Sequence, residues 1–191
     1  MEKELKNILW EHMRSDILRR IISTSISIIL AIIFVMFIQI FLLRSAIVHT
    51  NEMAPTLNKN DYIMINKLKV TFNLLNEGDI IMYRHHNQIH FSRIIGKAGE
   101  SIEIRHGKLY KDDRQVNKYY AKNRDINDFA LRDLENTEGD IIPPDSFLVL
   151  NDHSNTLTDS RRYGLIKKSD VIGNVCLRYY PFRSFNYEFN K

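Results

Sequence analysis

The fold is indicated most clearly by the stretch Ser101-Ile102-Glu103-Ile104-Arg105-His106-Gly107-Lys108-Leu109-Tyr110-Lys111. Apolar and polar side chains alternate on both sides of His106-Gly107, which is the period of a strand with one buried face. Glycine supplies the positive φ that a tight hairpin turn requires. The stretch therefore predicts two antiparallel strands, Ser101–Arg105 and Lys108–Lys111, joined by this turn.

Similar short runs lie on both sides of the hairpin. They are rich in Ile, Val, Tyr and Phe and are bounded by Gly, Asn, Asp or Pro, a pattern typical of strands. We therefore predict a mainly β domain, a twisted sheet or partial barrel with several hairpins. Residues 112–140 are polar and predict a small inserted subregion with one short helix near Asp128–Leu134. Further strands are predicted at Tyr62–Ile65, Asp79–Tyr83, Ile89–Ile95, Phe147–Leu150 and Val171–Tyr179.

A long uncharged segment precedes these strands. It runs from Ile21 to Leu43, and about 20 apolar residues suffice for a helix to cross the hydrocarbon core of a membrane. A cleavable signal peptide would have an apolar core of only ~7–15 residues that ends at small residues. A buried soluble helix that is apolar on every face is rare in so small a domain. The segment is therefore predicted to be a transmembrane helix.

Charge predicts the orientation of this helix. Basic residues are more frequent before it than just after it, where Arg44 alone follows closely, and such an excess marks the cytoplasmic side. We expect a single-pass protein of the cell membrane with a cytoplasmic segment at residues 1–20, the helix at 21–43 and an extracellular domain at 44–191. The basic residues that precede the helix include Lys3, Lys6, Arg14, Arg19 and Arg20.

The overall charge points to the membrane as a partner and not to nucleic acid. The net charge of +4 is small, and basic and acidic residues are interleaved, as in Lys111-Asp112-Asp113-Arg114. Such a surface suits anionic lipid headgroups. The single cysteine, Cys176, lies in an apolar run and is predicted to be a core residue.

Four segments resemble type I signal peptidases, the bacterial leader peptidases of serine peptidase family S26. Glu52-Met53-Ala54-Pro55-Thr56-Leu57 resembles the nucleophile box Ser-Met-x-Pro-Thr-Leu of that family. The other three follow in the family's order and support the mainly β domain predicted above. They are Asn60–Lys67 with Glu77–Ile81, Arg93–Ile102, and Pro144–Gly164.

The resemblance also shows which reacting groups this chain lacks. In the family a serine attacks the scissile carbonyl, a neutral lysine takes its proton, and an oxyanion hole holds the developing charge. Glu52 occupies the serine position, and Ser92, directly before Arg93, occupies the lysine position. Leu157 occupies the position of a serine that orients the lysine. The chain thus resembles an inactive Gram-positive homologue, and we expect no active catalytic residue.

Other family positions are retained and are expected to support the site. The resemblance gives the hydroxyl of Thr50 to the oxyanion hole, and it assigns a buttressing role to Asp159 and Arg161. The full set of predicted support residues is Thr50, Met53, Pro55, Arg93, Gly96, Asp159, Ser160 and Arg161.

Substitute catalytic groups were considered and are not expected to act. Thr50 is displaced by two residues from the attack position, and a misplacement of ~1 Å can cost ~100-fold in rate. His90 and Ser92 share a strand face but lie roughly 6.5 Å apart. Glu52 could activate water only with a coupled partner. His85 and His86 are adjacent in a probable turn and would point apart, so no metal or other cofactor is expected.

The sequence thus predicts a membrane-anchored, inactive homologue of type I signal peptidase. Such a protein could bind signal peptides of secretory precursors, or it could assist an active signal peptidase in secretion. The alternative is an active signal peptidase that uses a rearranged site. A third hypothesis is a degenerate duplicate that folds and binds nothing.

Overall fold

The N-terminal part of the chain is one long helix. The computed structural model describes residues 2–119, 127–135, 137 and 139–189, and the chain divides into two units, Met1–Leu42 and Leu43–Lys191. In the first unit, helix α1 (Glu2–Phe37) is followed by a π-helical turn (Ile38–Leu42). Within α1, the stretch Asp16–Phe37 is long and apolar enough to cross a membrane.

This helix differs in length from the one predicted at residues 21–43. It begins earlier because the charged segment 1–20 contains good helix formers such as Leu, Lys, Glu and Arg. It ends earlier because the chain passes through the π-helical turn and enters a strand at Leu43, which pairs with the next strand of the chain. The predicted boundary at residues 43 and 44 therefore falls inside that first strand.

The second unit consists of two antiparallel sheets. The strands are β1 (Leu43–Ile47), β2 (Tyr62–Asn66), β3 (Ile80–His85), β4 (Gln88–Lys97), β5 (Ile102–Arg105), β6 (Lys108–Lys111), β7 (Arg114–Gln115), β8 (Phe129–Ala130), β9 (Ser146–Leu150), β10 (Ile166–Lys167) and β11 (Val171–Tyr180). The seven-stranded sheet has the order β1-β2-β11-β3-β4-β9-β10, and the four-stranded sheet has the order β7-β6-β5-β8. Two one-turn helices, α2 (Leu68–Thr71) and α3 (Ser160–Tyr163), follow β2 and precede β10.

Alternation along the strands builds the core on both faces of the larger sheet. Ile80 and Met82 of β3 pack on one face with Met53, while Ile81 and Tyr83 pack on the other. This is the consequence of a side-chain period of two. A third cluster joins β4 and β9 of the larger sheet to β5 and β6 of the smaller one. The sheets thus share a continuous interior beneath the loops that carry the site.

The mainly β fold predicted from the sequence is confirmed. All seven predicted strands occur within two residues of their predicted ends, and in the hairpin both turn residues, His106 and Gly107, have positive φ. No pairing among the described strands closes the larger sheet into a barrel.

Two features differ from the prediction. The strand β1 was missed, because Leu43-Arg44-Ser45-Ala46-Ile47 shows no regular alternation of apolar and polar residues. In the inserted subregion the segment near Asp128–Leu134 forms β8 and a single 3-10 turn (Leu131–Asp133). That turn is short because Phe129 pairs with Ile104 of β5. Residues 120–126, 136 and 138 of this subregion lie outside the described residues.

Candidate functional site

The candidate site lies where two loops meet the middle of β4. The first loop follows β1 and carries Thr50 and Glu52, and the second follows β9 and carries Asn151 and Asp159. A backbone hydrogen bond of 3.0 Å, from the His153 N–H to the Glu52 carbonyl, joins the two loops. The fold therefore brings together residues that are about a hundred positions apart in the sequence.

The Glu52 side chain is buried, and both oxygens of its carboxylate have hydrogen-bond partners. Its Oε2 accepts the Thr50 hydroxyl at 2.9 Å and the Phe91 N–H at 3.1 Å. Its Oε1 lies 2.8 Å from Nδ1 of His90. Glu52 and His90 are only 4% and 5% exposed, so the carboxylate is part of the interior and not of a water-filled cleft.

These donors decide the ionisation of Glu52. Burial by itself raises the pKa of the carboxyl, because it disfavours the charged form. Hydrogen bonds from His90, Thr158, the Phe91 N–H and Thr50 oppose it, and together they lower the pKa below its ordinary value. Glu52 is therefore a carboxylate at neutral pH.

Ser92 also belongs to a closed network. The side chain is fully buried, and its hydroxyl donates to Oδ1 of Asn151 at 2.7 Å. The hydroxyl of Tyr83 lies 3.2 Å from Ser92 Oγ and 3.2 Å from the Thr158 carbonyl. Burial raises the pKa of Tyr83 well above its ordinary range, so its phenol stays protonated at neutral pH. None of these groups is a base that could take a proton from a nucleophile.

Arg93 connects the second loop to the C-terminal segment directly, and it connects the first loop to both through Asp152. It is fully buried and donates to both oxygens of Asp152, at 2.9 and 2.6 Å. Its Nη1 donates to the carbonyls of Gly78 and Phe189. The hydroxyl of Thr56 donates to Asp152 at 2.6 Å. A buried, bidentate pair of this kind fixes the geometry of every segment it touches.

A second buried ion pair organises the loop after β9. The Asp159 carboxylate accepts from the guanidinium of Arg161, with 2.7 Å from Nη2, and from the Asn151 N–H at 2.9 Å. Arg161 also donates to the carbonyls of Ser154 and Thr156. The Asp159 carboxylate is therefore occupied by Arg161. The adjacent Ser160 accepts the Val149 N–H at 2.9 Å and so attaches the loop to β9.

Three predicted support residues remain, Met53, Pro55 and Gly96. Met53 is fully buried in the core cluster below the first loop, and Pro55 is exposed. Gly96 lies beside a register shift in β4, where an added Cβ would come within 2.7 Å of the side chains of Ile102 and Ile142. Gly96 thus permits close packing between the two sheets.

One expectation about individual side chains needs correction. His85 and His86 do not point apart: their ring centroids are 4.1 Å apart, because His86 has a left-handed φ of 45° that folds the turn back. His85 also stacks on Tyr163 at 4.1 Å. Leu157, which occupies the position of a lysine-orienting serine, is 56% exposed. The next residue, Thr158, contacts Glu52, Asn151 and Tyr83 instead.

Sequence reasoning missed three members of the site. His90 was considered only with Ser92, but it pairs with Glu52. Tyr83 was predicted as a strand residue without a role. Asn151-Asp152-His153-Ser154 resembles the family segment Gly-Asp-Asn-Arg, so the resemblance places Asn151 at a glycine position. This mismatch was the available signal, because a side chain there must fill space beside position 92.

The arrangement offers no route to peptide cleavage by the family's chemistry. The group at the nucleophile position is an anion whose two oxygens already have hydrogen-bond partners, including Thr50, His90 and the Phe91 N–H. The hydroxyl of Thr50, assigned to the oxyanion hole by the resemblance, donates to that anion. A donor directed at a resident carboxylate cannot stabilise the charge that develops on a substrate.

Comparison with known proteins agrees with this geometry. The family described as Signal peptidase, peptidase S26, matches residues 21–180. The chain belongs to this family. The match includes most of the apolar stretch of α1, all the strands of both sheets and both loops of the site.

Several known proteins resemble this chain, at different levels of sequence identity. A protein named inactive signal peptidase IA, from Staphylococcus aureus strain N315, is 54% identical over 172 residues, which cover 90% of this chain and 99% of the relative. Signal peptidase IB from strain MRSA252 of the same species is 27% identical over 189 residues, covering 93% of this chain and 97% of that protein. A solved structure of a signal peptidase I from Enterococcus faecalis V583 is 28% identical, with a TM-score of 0.48, over 52% of this chain and 95% of that one. The prediction of an inactive homologue of type I signal peptidase is confirmed.

Proposed function

We propose that this chain is a membrane-anchored signal-peptidase homologue that binds extended segments of secretory precursors without cleaving them. One observation carries the proposal: the Glu52 carboxylate occupies the nucleophile position and engages the Thr50 hydroxyl at 2.9 Å. The position is filled by a group that neither attacks a carbonyl nor leaves the oxyanion donors available. The lack of catalysis is thus expected from the carboxylate that fills the nucleophile position, as well as from the absence of the serine.

The frame that would hold a peptide is retained in the same structure. The Arg93–Asp152 and Asp159–Arg161 pairs fix both loops around the site. Strand β1 leads directly into the first loop, and in the described part of the chain β1 pairs only with β2. An extended peptide could add to the other edge of β1 through main-chain hydrogen bonds. Such binding needs no nucleophile.

The anchor supplies the location. We place the N-terminus in the cytoplasm, because basic residues are more frequent before the apolar stretch than just after it. The β domain then lies on the outer face of the cell membrane, where secretory precursors emerge. A rearranged active site has less support, because Ser92 donates to Asn151 and Thr50 donates to Glu52.

Cleavage by the full-length protein in detergent tests the inactive part of the proposal. With a fluorogenic signal-peptide substrate, the native chain is expected to show no cleavage. The double variant Glu52→Ser, Ser92→Lys is expected to remain poor, because the Asn151 side chain fills the space beside position 92. Adding Asn151→Gly is expected to restore cleavage. In an unrelated serine peptidase, losing nucleophile or base costs about 10⁶-fold in kcat, so even partial restoration is measurable.

The control for this experiment is the triple variant with alanine in place of serine at position 52. It keeps the new lysine and glycine but lacks a nucleophile, and it is expected to be inactive. Cleavage by the native chain at a signal-peptidase site would overturn the proposal.

Binding tests the other part. A signal peptide and a scrambled peptide of the same composition would be titrated into the native full-length protein in detergent. The proposal predicts saturable binding of the signal peptide and weaker binding of the scrambled one. Equal, weak affinity for the two peptides would favour the third hypothesis, a duplicate that folds but binds nothing.

A further inference from the structure

An apolar loop on the surface of the β domain follows β2. We call the segment from Lys67 to Leu74, which includes α2, the α2 loop. Within it the Phe72 side chain is 64% exposed and the Leu74 side chain is 57% exposed. Neighbouring exposed apolar side chains often mark a surface that binds a protein or a membrane. The α2 loop is separate from the two loops of the degenerate site, so its exposure needs its own explanation.

The outward position of these two side chains is fixed by the fold of the loop. The Leu74 N–H donates to the Lys69 carbonyl at 2.7 Å. Asn73 has a left-handed φ of 56°, which turns the chain between Phe72 and Leu74. The next residue, Leu75, is only 1% exposed and belongs to the core. An ordered turn, held by one buried leucine, thus presents two apolar side chains to the outside.

Strand pairing locates the α2 loop along the chain from the membrane helix. The uncharged run that begins in α1 ends at Leu43, and Arg44 is the first charged residue after it. Leu43 pairs with Asn66, the last residue of β2, and Lys67 follows directly. Phe72 is within about 20 Å of Asn66 by chain length, and the helical turn α2 shortens this span. The loop therefore leaves the sheet next to the residue at which the apolar run enters it.

The charge of this segment suits the surface of an anionic membrane. From Tyr62 to Asn76 the sequence contains no acidic residue, while Lys67 and Lys69 are basic. The Lys69 ammonium is paired with Asp79 at 3.0 Å, so the segment does not depend on a large positive charge. Anionic headgroups would meet no carboxylate within it. Phe and Leu side chains flanked by lysines are typical of segments that lie in the membrane interface.

We propose that the α2 loop is a second contact of this protein with the lipid bilayer. The Phe72 and Leu74 side chains insert among the headgroups and upper acyl chains of the leaflet on the side of the β domain. The bilayer is the occupant because the loop begins next to Leu43, where the apolar run ends. With two attachment points, the helix and the loop, the β domain is held at a fixed height over the membrane. The inference goes beyond the proposed function and does not depend on peptide binding.

Tryptophan fluorescence in vesicles tests this contact. The chain contains a single tryptophan, Trp10, so Trp10→Phe gives a silent background in which Phe72→Trp is the one reporter. The full-length protein is reconstituted in vesicles of phosphatidylcholine and phosphatidylglycerol, with or without bromine on the acyl chains. Brominated lipid is expected to quench this reporter severalfold, and the reporter should be protected from aqueous acrylamide.

The matched control is Phe182→Trp in the same background. Phe182 is 80% exposed, and its ring lies 5.6 Å from that of Tyr180. Tyr180 pairs with Tyr62, which lies at the opposite end of β2 from Asn66, roughly 13 Å away. This reporter is expected to remain accessible to acrylamide and unquenched by brominated lipid. Equal quenching of the two reporters by brominated lipid would overturn the assignment of the contact to the α2 loop.

Lipid dilution distinguishes the bilayer from a second copy of the chain. Quenching of Phe72→Trp by brominated lipid should not change as the protein-to-lipid ratio falls. Protection from acrylamide that disappears on dilution would assign the loop to a contact between copies and overturn the proposal.

A second reporter keeps the test valid if Phe72→Trp fails to fold. Leu74→Trp in the same background changes another exposed side chain and is expected to be quenched by brominated lipid in the same way. Adding Phe72→Ser to it removes part of the inserted apolar surface and should weaken this quenching severalfold. The proposal is abandoned if the loop reporter is as accessible to acrylamide as Phe182→Trp.

Discussion

The reacting positions and the supporting positions of the site have different structures. Arg93–Asp152 and Asp159–Arg161 form buried ion pairs that connect loops, strands and the C-terminal segment. Glu52 and Ser92, by contrast, are each enclosed by hydrogen-bond partners. These are His90 and Thr50 for Glu52, and Asn151 and Tyr83 for Ser92. We call the two ion pairs at the supporting positions the frame of the site. The reacting positions, Glu52 and Ser92, lie within this frame.

The difference shows which positions can change chemistry without loss of the fold. Removing one partner of a buried ion pair leaves an uncompensated charge, which is strongly destabilising. A reacting position can instead receive any group whose polar atoms find partners in the space available. Glu52 satisfies this condition through the donors around its carboxylate, and Ser92 does so through Asn151. The two halves should therefore respond to mutation by different amounts.

The largest expected effect on stability is that of Arg93→Met. The change leaves Asp152, whose side chain is 12% exposed, without its bidentate partner, and it removes donors from two carbonyls. We expect a loss of about 3–5 kcal/mol in the free energy of unfolding. Thermal unfolding of the full-length protein in detergent, followed by near-ultraviolet circular dichroism, measures it.

The matched control for Arg93→Met is Arg105→Met. Arg105 pairs with Glu103 and Asp113 on the surface, and exposed pairs contribute little. Its unfolding temperature should stay close to that of the native protein. Equal effects for the two variants would contradict the description of Arg93 as part of a frame.

A smaller effect is expected from Glu52→Gln. The amide can still accept from Thr50 and the Phe91 N–H, but it loses the carboxylate that faces His90. Weakening one buried, charge-assisted hydrogen bond should cost about 1–3 kcal/mol. Comparison of the unfolding temperatures of the native chain and the variant near neutral pH measures this cost. A higher unfolding temperature for the variant would mean that the Glu52 carboxylate lowers the stability of the native protein.

The difference in stability between the native chain and Glu52→Gln is also expected to depend on pH. The pKa of Glu52 is lower in the folded chain than its ordinary value of 4.5, so in acid the unfolded chain takes up this proton first. The stability contributed by the carboxylate is therefore complete above that ordinary value, and it is lost as pH falls through the folded pKa. The advantage of the native chain over Glu52→Gln should shrink over this acidic range. A difference that stays constant would contradict the lowered pKa.

Much of the fold could be predicted because its signals are local. Alternation of apolar residues and turn chemistry located the hairpin at His106-Gly107 and every predicted strand. Strand β1 could not be found in this way. Leu43–Ile47 is a strand because it pairs with Tyr62–Asn66, and its own residues show no regular alternation of apolar and polar side chains.

Prediction of the site from the sequence is limited in the same way. Motif spacing identified positions 52 and 92 and predicted that their chemistry was lost. The partners that stabilise the substituted groups lie far away in sequence: His90 is 38 residues from Glu52, and Asn151 is 59 residues from Ser92. Such pairings depend on how β4 and the two loops pack, and a single sequence carries no direct signal for them.

Leu157→Ser is expected to have the smallest effect and marks the boundary between the two halves. Leu157 is exposed and borders an open cavity with Phe129, Leu134 and Arg161, so replacing it removes little buried surface. The unfolding free energy should change by no more than about 0.5 kcal/mol, and the variant alone should not cleave a signal peptide. Leu134→Ser, at a position only 7% exposed in the core beneath, is the contrasting control and should cost several times more. A large loss for Leu157→Ser would place this residue in the frame, because an exposed leucine can matter to stability only if it packs on the segments that the ion pairs hold.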